Sequence, residues 1–239
     1  MKFSSYIKKV IAEDRSPVGI IINDKIRVKE YVDERLPGNN LFAHRMYAGY
    51  SIPETVKACY NRPCVVRLNN GWHKMRFLFD RKDVLNIDEL EKWQSTPYPS
   101  AEWSYKQIKP GFTVEKVLPL KHNLFKFFVF HGKVHYIWGQ RYNIESRKIG
   151  QLGCTMYTPE WKKLNVQWNK TPIIDFKKPG RIDEMISIAE KLWCSDWKFM
   201  RVDLYYNDNK ILLSEMNNYH AGGTNGFSGD FDEVLGGLI

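Results

Sequence analysis

The sequence lacks the cysteine spacings typical of structural zinc sites and disulfide frameworks. Its four cysteines (Cys59, Cys64, Cys154 and Cys194) form no C-x-x-C pair, and none of its six histidines completes an E-x-x-H pair. Zinc is usually bound by closely spaced ligands, so a structural zinc site and a histidine metal site are both disfavoured. Because there is no dense cysteine framework, we expect reduced, partly buried thiols.

Long apolar stretches are also missing. No run approaches the ~18 residues that a membrane-spanning helix needs, and the amino terminus lacks the apolar core of a signal peptide. We therefore expect no transmembrane segment and a cytoplasmic location. Hydrophobic residues make up 43% and aromatic residues 14% of the 239 residues. Such a composition excludes a disordered chain and allows one large domain or two small ones.

Acidic residues are in the minority, with 27 against 36 lysines and arginines, which gives a net charge of +9. This excess favours acidic partners such as nucleic acid, an anionic membrane surface or a phosphorylated small molecule. The basic residues are spread along the chain, so the charge does not choose among these partners. A basic nucleic-acid-binding domain is one alternative function, but a carboxylate cluster would repel its phosphates unless a metal intervened.

Apolar periodicity and turn residues predict a mixture of helices and antiparallel strands, which indicates the α+β class rather than a doubly wound parallel sheet. Residues 1–22 show no clear element, and the glycine-rich stretch 221–229 is predicted to be a mobile loop. The predicted helices span 26–35, 88–94 and 181–193. The predicted strands span 64–68, 75–79, 112–118, 124–130 and 134–138.

The most informative stretch, residues 200–217, is predicted to form a β-hairpin. Side chains alternate along a strand, so Arg201 and Asp203 share one face. With a three-residue loop at 208–210, Asp203 lies opposite Glu215. With a two-residue loop, the two carboxylates would lie on opposite faces, because a shift of one residue reverses every side chain.

In the same register Asn217 lies opposite Arg201, so two carboxylates and an amide converge beside a cation. This set of oxygen ligands suits Mg²⁺ held jointly by protein carboxylates and substrate phosphates. The same pattern is also typical of an ordinary hairpin with a polar, solvated outer face. Spacing alone leaves both interpretations open.

Other polar residues have two interpretations each. The loop Asn69–Lys74 follows a buried strand and could cradle a phosphate, but it has one glycine and no Walker pattern, so a plain turn is the alternative. Lys25 at a helix start could meet a phosphate or be solvated. Lys126 and Arg141 lie among aromatic residues, where a cation either pairs with a ligand or extends to water.

The order of these features resembles the ATP-grasp superfamily, and more closely its teichuronopeptide-synthesis-like (TupA-like) branch. A lysine stands at a helix start, a cation precedes a turn, a V-E-K-V-L strand follows, and R-x-D and E-x-N come last. The resemblance extends from Asn23 to Asn217. It is strongest at Asp24-Lys25, at Met200–Tyr205 and at Glu215–Asn217.

The resemblance implies an ATP-grasp fold, in which two α+β subdomains with antiparallel sheets enclose a nucleotide. It implies ATP and Mg²⁺ as cofactors. The implied nucleotide-binding positions are Lys25, Arg67, Lys126 and a hinge formed by Glu115, Lys116, Val117 and Leu118. The implied magnesium ligands are Asp203, Glu215 and Asn217, and the implied catalytic cations are Arg201, Arg141 and Lys126.

The sequence departs from the family pattern at several positions. Arg67 stands where the family usually has a lysine, which replaces a point charge with a planar fork. Leu124 stands where an acidic residue is common, and the loop at 69–74 lacks the second glycine or serine of the family's lid. Only 22 residues precede Asn23, so the resemblance predicts that a separate amino-terminal domain is absent.

The family resemblance implies three segments: 1–62 with the first nucleotide lysine, a small lid-like subdomain at 63–118 that ends in the hinge, and a larger subdomain at 119–239. It implies an ATP-dependent carboxylate–amine ligase that acts through an acyl phosphate, with an anionic carboxylate (a uronic acid of a cell-envelope polysaccharide, or a peptide conjugate) and an amine as substrates. A kinase on the same fold is the alternative within enzymes, and nucleic acid is not an expected partner. A homo-oligomer is compatible with the sequence.

Overall fold

The fold consists of two antiparallel sheets with helices packed against them. We describe it from a computed structural model, which covers residues 1–71, 74–96, 101–118, 121–145 and 148–239. The helices are α1 (Phe3–Glu13), α2 (Pro17–Asn23), α3 (Val28–Arg35), α4 (Ile52–Ala58), α5 (Ile87–Ser95), α6 (Trp103–Gln107), α7 (Ile182–Lys191) and α8 (Phe231–Gly236). The strands are β1 (Arg45–Gly49), β2 (Cys64–Leu68), β3 (Met75–Leu78), β4 (Phe112–Lys116), β5 (Lys121–Phe130), β6 (Lys133–Glu145), β7 (Lys148–Tyr157), β8 (Lys163–Leu164), β9 (Phe199–Asn207) and β10 (Lys210–Asn217).

The larger sheet has six strands in the order β10-β9-β5-β6-β7-β8. One face packs on α7, where the apolar residues of β5 and β9 alternate with polar ones and form the main core. Phe127 pairs with Val202, and Phe125 pairs with Leu204, all four on the core face. Alternation therefore leaves Lys126 and Asp203 on the opposite face, directly across from each other.

The smaller sheet has four strands in the order β1-β4-β2-β3 and has a core of its own, built from Val66, Leu68, Phe112 and Val114. Its polar positions follow the same alternation, since Val65 pairs with Glu115 and Arg67 pairs with Thr113. The segment from Lys116 onward connects this sheet to β5 of the larger one. The chain is therefore α+β, with two antiparallel sheets joined at the predicted hinge.

Two helices occupy the amino-terminal segment, for which the sequence predicted no element. The apolar residues Phe3, Tyr6 and Ile7 are buried on one face of α1, at helical spacing. The side chain of Ser16 caps α2 by accepting a hydrogen bond from the Val18 N–H, and Pro17 takes the first helical position. Both start signals were present in the sequence.

Most predicted elements are present, with shifted ends. Helix α3 begins at Val28 rather than Ile26, because the Asp24 side chain accepts from the Ile26 N–H and holds residues 25–27 in a turn. Strand β6 continues to Glu145, well beyond the predicted end at Trp138, and pairs along that length with β7. Strands β1 and β7 and helices α4, α6 and α8 were not predicted.

The glycine-rich stretch near the carboxyl end is structured in part. Residues His220–Gly223 form a short 3-10 turn, and Phe227 forms an isolated bridge with Trp168. All four cysteines are free thiols, as predicted, and all are buried rather than partly buried. Within the described ranges, no helix is both long and apolar enough to cross a membrane.

Candidate functional site

The hairpin of β9 and β10 brings Asp203 and Glu215 together, but through a different loop from the predicted one. Asn207 pairs with Lys210, so the loop has two residues, Asp208 and Asn209. Both have positive φ (48° and 60°), as a tight hairpin turn requires. The loop is therefore the two-residue alternative, not the three-residue loop that the expected pairing required.

A β-bulge at Ser214 restores the predicted pairing. Leu213 pairs with Leu204, the register then shifts, and Glu215 pairs with Asp203. The shift of one residue returns the rest of β10 to the alignment that a three-residue loop would have given. Asn217 accordingly pairs with Arg201, as the sequence predicted. Leu213 remains in the main core.

Arg201 is the centre of the polar cluster on this face. Its Nε and Nη2 donate to the two carboxylate oxygens of Asp203 at 2.6 and 2.8 Å, and Nη2 also donates to Glu215 Oε1 at 2.5 Å. Nη1 lies 3.1 Å from Nδ1 of His220. Because a guanidinium is rigid and planar, these contacts fix its orientation.

Lys126 completes the cluster from the neighbouring strand β5. Its Nζ lies 3.3 Å from Oδ2 of Asp203, and its stem packs near the Trp138 ring, with Nζ 5.7 Å from the ring centroid. Asp203 is fully buried, whereas the Glu215 side chain is 43% exposed. The cluster therefore contains two cations and two carboxylates, and Glu215 is the carboxylate that faces the open space.

Burial and neighbouring charges shift the pKa values of these groups in opposite directions. Burial raises the pKa of Asp203, although Arg201 and Lys126 oppose the rise. Burial acts against ionisation of Glu215 too, but Arg201, Lys126 and Lys25 outweigh it and lower the pKa of that carboxyl. Burial and the charge of Arg201 lower the pKa of Lys126.

The smaller sheet contributes a second group of charges. Lys25 Nζ donates to the backbone carbonyls of Asn69 and Gly71, at 3.2 and 2.6 Å. Arg67 forms an ion pair with Glu115. Burial and the charge of Arg67 lower the pKa of Lys25 to about 8, while Glu215 acts in the opposite direction. Lys25, in the turn before α3, and Glu215, on β10 of the larger sheet, therefore lie within electrostatic range of each other.

Arg45 is a member of this group that the sequence did not reveal. It lies on β1 opposite Glu115, with its Nε 3.6 Å from Oε1 of that carboxylate. Its Nη2 also donates to the backbone carbonyl of Lys25 at 2.9 Å. Three cations thus surround one carboxylate on this side, so the local charge is positive. The pairing of β1 with β4 brings Arg45 here, and no local sequence pattern indicates that pairing.

The loop after β2 is fixed by its two asparagines. The Asn69 side chain donates to Asp24 Oδ1 at 2.8 Å and accepts from the Gly111 N–H at 2.7 Å. Asn70 donates to the Ile108 carbonyl at 3.4 Å. The predicted phosphate loop runs to Lys74, but its Trp72 and His73 lie outside the described residues. The described part of the loop holds Lys25 in place.

The predicted hinge borders a cleft with a volume of about 970 Å³. Lys116, Val117 and Leu118 line this cleft together with His122 and Tyr205. The polar cluster does not line this cleft but adjoins it through Tyr205, which shares a strand face with Asp203 and is electrostatically coupled to Arg67. Glu115 faces Arg45 and Arg67, and the Lys116 N–H donates to the His44 carbonyl at 3.0 Å.

Arg141 lies apart from the other predicted catalytic residues. It pairs with Asn123 across β5 and β6, on the face that packs against the main core. Its Nε donates to Asn123 Oδ1 at 3.0 Å, and its guanidinium lies over the Phe176 ring, 4.9 Å from the centroid. Strand alternation thus puts Arg141 on the opposite face of the sheet from Lys126. The structure does not bring it to the cluster.

The protein oxygens fit a magnesium ion that is coordinated by both the protein and phosphate groups. Asp203 and Glu215 supply carboxylate oxygens, and Asn217 supplies an amide oxygen that already accepts from the Tyr219 N–H at 2.8 Å. Among the described residues, no group of three or more His, Cys, Asp or Glu side chains could hold a metal. Two carboxylates and one amide leave half of an octahedron to water and phosphate oxygens, and Mg²⁺ usually keeps several such ligands.

A family model described as TupA-like ATPgrasp matches residues 71–239 of the chain, which contain Lys126, Arg201 and both carboxylates. Lys25, Arg45 and Arg67 precede the matched segment. Among curated proteins, none matches this sequence.

Solved structures similar to this chain include D-alanine–D-alanine ligases and an L-amino acid ligase. The D-alanine–D-alanine ligase from Bacillus anthracis has 17% identity and a TM-score of 0.46, over 91% of this chain and 62% of that one. The corresponding Helicobacter pylori enzyme has 15% identity and a TM-score of 0.49, over 91% and 57%. The L-amino acid ligase from Bacillus licheniformis has 14% identity and a TM-score of 0.47, over 90% and 47%. The chain therefore spans about half to three-fifths of these structures.

Proposed function

Since the chain belongs to the TupA-like ATP-grasp family, we propose that it is an ATP-dependent carboxylate–amine ligase that forms an amide bond through an acyl phosphate. The observation that carries the proposal is the pairing of Asp203 with Glu215 beside Arg201 and Lys126. A second group of cations, which includes Lys25 and Arg67, lies within electrostatic range of Glu215. This combination of carboxylates and cations supports a site for a polyphosphate and a divalent cation together.

The residues of each sheet have separate tasks in this proposal. Lys25 and Arg67 bind the phosphates of ATP, and the cleft beside Lys116, Val117 and Leu118 accommodates the adenine. Arg201 and Lys126 neutralise the charge that spreads over the transferred phosphoryl group. Glu115 keeps Arg45 and Arg67 in place through its two ion pairs, rather than contacting the nucleotide.

Asp203, Glu215 and Asn217 would hold Mg²⁺, which when bound supplies positive charge at the phosphate oxygens. Asp203 is fully buried between two cations, so it also fixes the side chains around it. Glu215 is the more exposed of the two carboxylates and faces the space where phosphates would enter.

The proposed reaction needs positioning and charge stabilisation more than covalent help from the protein. An oxygen of the substrate carboxylate attacks the γ-phosphorus of ATP, the bond from that phosphorus to the bridging oxygen breaks, and ADP leaves. The amine then attacks the carbonyl carbon of the acyl phosphate. The bond from the carbonyl carbon to the phosphate oxygen breaks, inorganic phosphate leaves with the electron pair, and the amine proton passes to solvent. A carboxylate alone would have to expel an oxide, which is why the phosphoryl group is needed.

We propose that the carboxylate belongs to an acidic sugar, such as a uronic acid of a cell-envelope polysaccharide, or to a peptide conjugate. The net charge of +9 is compatible with such an anionic substrate. The sugar is supported only by the resemblance to the teichuronopeptide-synthesis-like branch of the superfamily.

The test is a coupled assay for ADP and inorganic phosphate across a panel of uronic acids and amines, with the product mass measured. A ligase releases phosphate only when both an acid and an amine are present. The mass of its product equals the sum of the acid and the amine minus one water. A phosphorylated product that forms without any amine would identify a kinase instead. Release of ADP with no acceptor dependence would contradict both activities.

A further inference from the structure

His220 is buried at the point where the site meets the aromatic core, and it contacts Arg201. Only 2% of its surface is exposed. Its Nδ1 lies 3.1 Å from Nη1 of Arg201. The ring stacks on Phe227 with an interplanar angle of 4° and a centroid distance of 5.7 Å. Five further aromatic rings surround it: Phe3, Phe128, Trp138, Trp168 and Phe199.

The chemistry of the contact fixes the protonation state of the imidazole. A guanidinium has only donors, so Nδ1 of His220 must be the acceptor and cannot carry a proton. A neutral imidazole then has its proton on Nε2. Nε2 is buried and has no hydrogen-bond partner in the described part of the chain. This agrees with a ring whose orientation is set by the contact between Nδ1 and Arg201. Burial and the charges of Arg201 and Lys126 keep the pKa of this ring well below its usual range.

A core histidine that only fills space would not need this arrangement. A phenylalanine would fill the aromatic surroundings without leaving a buried N–H unpaired. The unpaired Nε2 is therefore a cost that the contact with Arg201 must offset. Asp203 holds Nε and Nη2 of Arg201, and His220 holds the remaining nitrogen. The guanidinium is thus fixed at all three nitrogens.

We propose that His220 is a positioning residue for Arg201, acting as a neutral acceptor through Nδ1. It touches neither substrate nor cofactor. Its effect on the reaction passes through the orientation of the Arg201 guanidinium, and that part of the inference rests on the proposed ligase function. Interactions made mainly in the transition state change kcat more than KM, so loss of this contact is expected to lower kcat.

Two substitutions separate the acceptor from the packing. His220→Phe keeps an aromatic ring and removes the acceptor, whereas His220→Asn keeps an acceptor oxygen near the place of Nδ1 and removes the ring. For the full chain, we expect His220→Phe to lower kcat at least about tenfold with KM for ATP changed by less than about threefold, because a hydrogen bond to a charged group is lost. We expect His220→Asn to recover most of that kcat. Equal losses in both variants, or no loss in His220→Phe, would overturn the proposal.

A spectroscopic measurement tests the contact without reference to activity. Nitrogen NMR of ¹⁵N-histidine-labelled protein reports which ring nitrogen carries the proton, and the His220 signal is assigned by its loss in His220→Asn. We expect the tautomer protonated at Nε2. A proton on Nδ1, or an imidazolium at neutral pH, would overturn the proposal. A wild-type chain that turns over no ATP but shows the expected tautomer would contradict the ligase function while leaving the contact supported.

Discussion

Asp203 and Glu215 lie directly opposite each other on β9 and β10, although the turn between their strands has only two residues. A regular ladder from that turn would put Ser214 opposite Asp203. The bulge at Ser214 moves Glu215 into that position. The carboxylates face each other because the bulge accommodates one extra residue in β10, and the two-residue turn alone would not pair them.

Deletion of Ser214 is expected to leave the carboxylate pair intact. The strand would then continue regularly from Leu213 to Glu215, with Leu213 and Met216 facing the core and Glu215 facing the site. We expect the free energy of unfolding to fall by about 1 kcal/mol, because the local twist and the contact of Ser214 with Tyr205 are lost. Such a loss lowers Tm by about 2–4 °C in a chain of this size. Thermal unfolding followed by circular dichroism measures this change in Tm.

Deletion of Leu212 is the matched control, because it also shortens β10 by one residue. It would move Leu213, which is buried, to the polar face and Ser214 into the core. We expect the free energy of unfolding to fall by about 2–5 kcal/mol, as for other large-to-small changes in a core. Equal melting temperatures for the two deletions would mean that the bulge does not set the register.

The outcome at the hairpin illustrates how far local sequence reasoning reaches. Alternation along β9 correctly predicted that Arg201 and Asp203 share a face, because side-chain direction in a strand is local. The sequence Asn207-Asp208-Asn209-Lys210 favours a two-residue turn with positive φ, yet the carboxylate pair suggested a longer loop. A bulge has no strong sequence signal, so the two requirements could not be reconciled without the fold.

Neutralising each carboxylate is expected to separate stability from activity. Asp203→Asn leaves two buried cations, Arg201 and Lys126, without their shared counter-charge, and we expect a loss of about 3–5 kcal/mol in the free energy of unfolding. Glu215→Gln should cost much less, since that side chain is 43% exposed. Both should lower ATP turnover by about 100-fold or more, as for removal of other transition-state contacts.

Urea denaturation and steady-state kinetics of the two variants measure these effects. Glu233→Gln is the control, because it removes a carboxylate from an exposed ion pair with Lys2 that is not part of the polar cluster. Equal destabilisation by Asp203→Asn and Glu215→Gln would contradict the difference in burial on which the prediction depends.

Lys25 is expected to cause a fall in kcat/KM at alkaline pH, which appears as an alkaline limb in the pH profile. Its pKa of about 8 in the fold is below the ordinary value of 10.5, so the free enzyme loses this charge as the pH rises through about 8. The kcat/KM for ATP should therefore fall above that pH, because the pH dependence of kcat/KM reports groups of the free enzyme. In Lys25→Arg the limb should disappear, since a guanidinium stays charged.

The stability contribution of Lys25 should change in the opposite direction. Between about pH 8 and 10.5 the unfolded chain binds more protons at this residue than the folded one, so the contribution to stability rises with pH across that window. Lys25→Met should lack the rise when unfolding is measured at pH 7.5, 9 and 10. A limb that persists unchanged in Lys25→Arg would mean that another group titrates there.

Arg45→Gln is expected to weaken ATP binding without altering the chemical step. The substitution removes the hydrogen bond to the Lys25 carbonyl and the contact with Glu115. Loss of hydrogen bonds from a charged group predicts a KM for ATP that is about tenfold higher, with kcat changed little. Arg76→Gln is the control, since Arg76 pairs with Glu89 at an exposed position.

Arg45 also marks the limit of sequence reasoning at this site. Lys25, Arg67 and Glu115 were named through family resemblance, whereas Arg45 comes from a strand that periodicity did not predict. Its position depends on the antiparallel pairing of β1 with β4, which joins residues about 70 positions apart and is a tertiary property. A fall in kcat with unchanged KM in Arg45→Gln would contradict a role in holding Lys25.

Lys126 and Arg141 were both expected to face the phosphates, and their different faces of the sheet predict different outcomes on substitution. Lys126 pairs across β5 and β9 with Asp203, so Lys126→Met should lower kcat by about 100-fold through lost charge stabilisation. Arg141→Met keeps the packing over Phe176 and removes a charge from the opposite face. We expect its kcat and KM for ATP to stay within about threefold of wild type, because the sheet itself separates the guanidinium from the cluster. Equal losses of kcat in the two variants would contradict this prediction, because they would require a substrate that reaches around the edge of the sheet. The strand order makes that route long, since two further strands, β7 and β8, lie beyond β6 on that side.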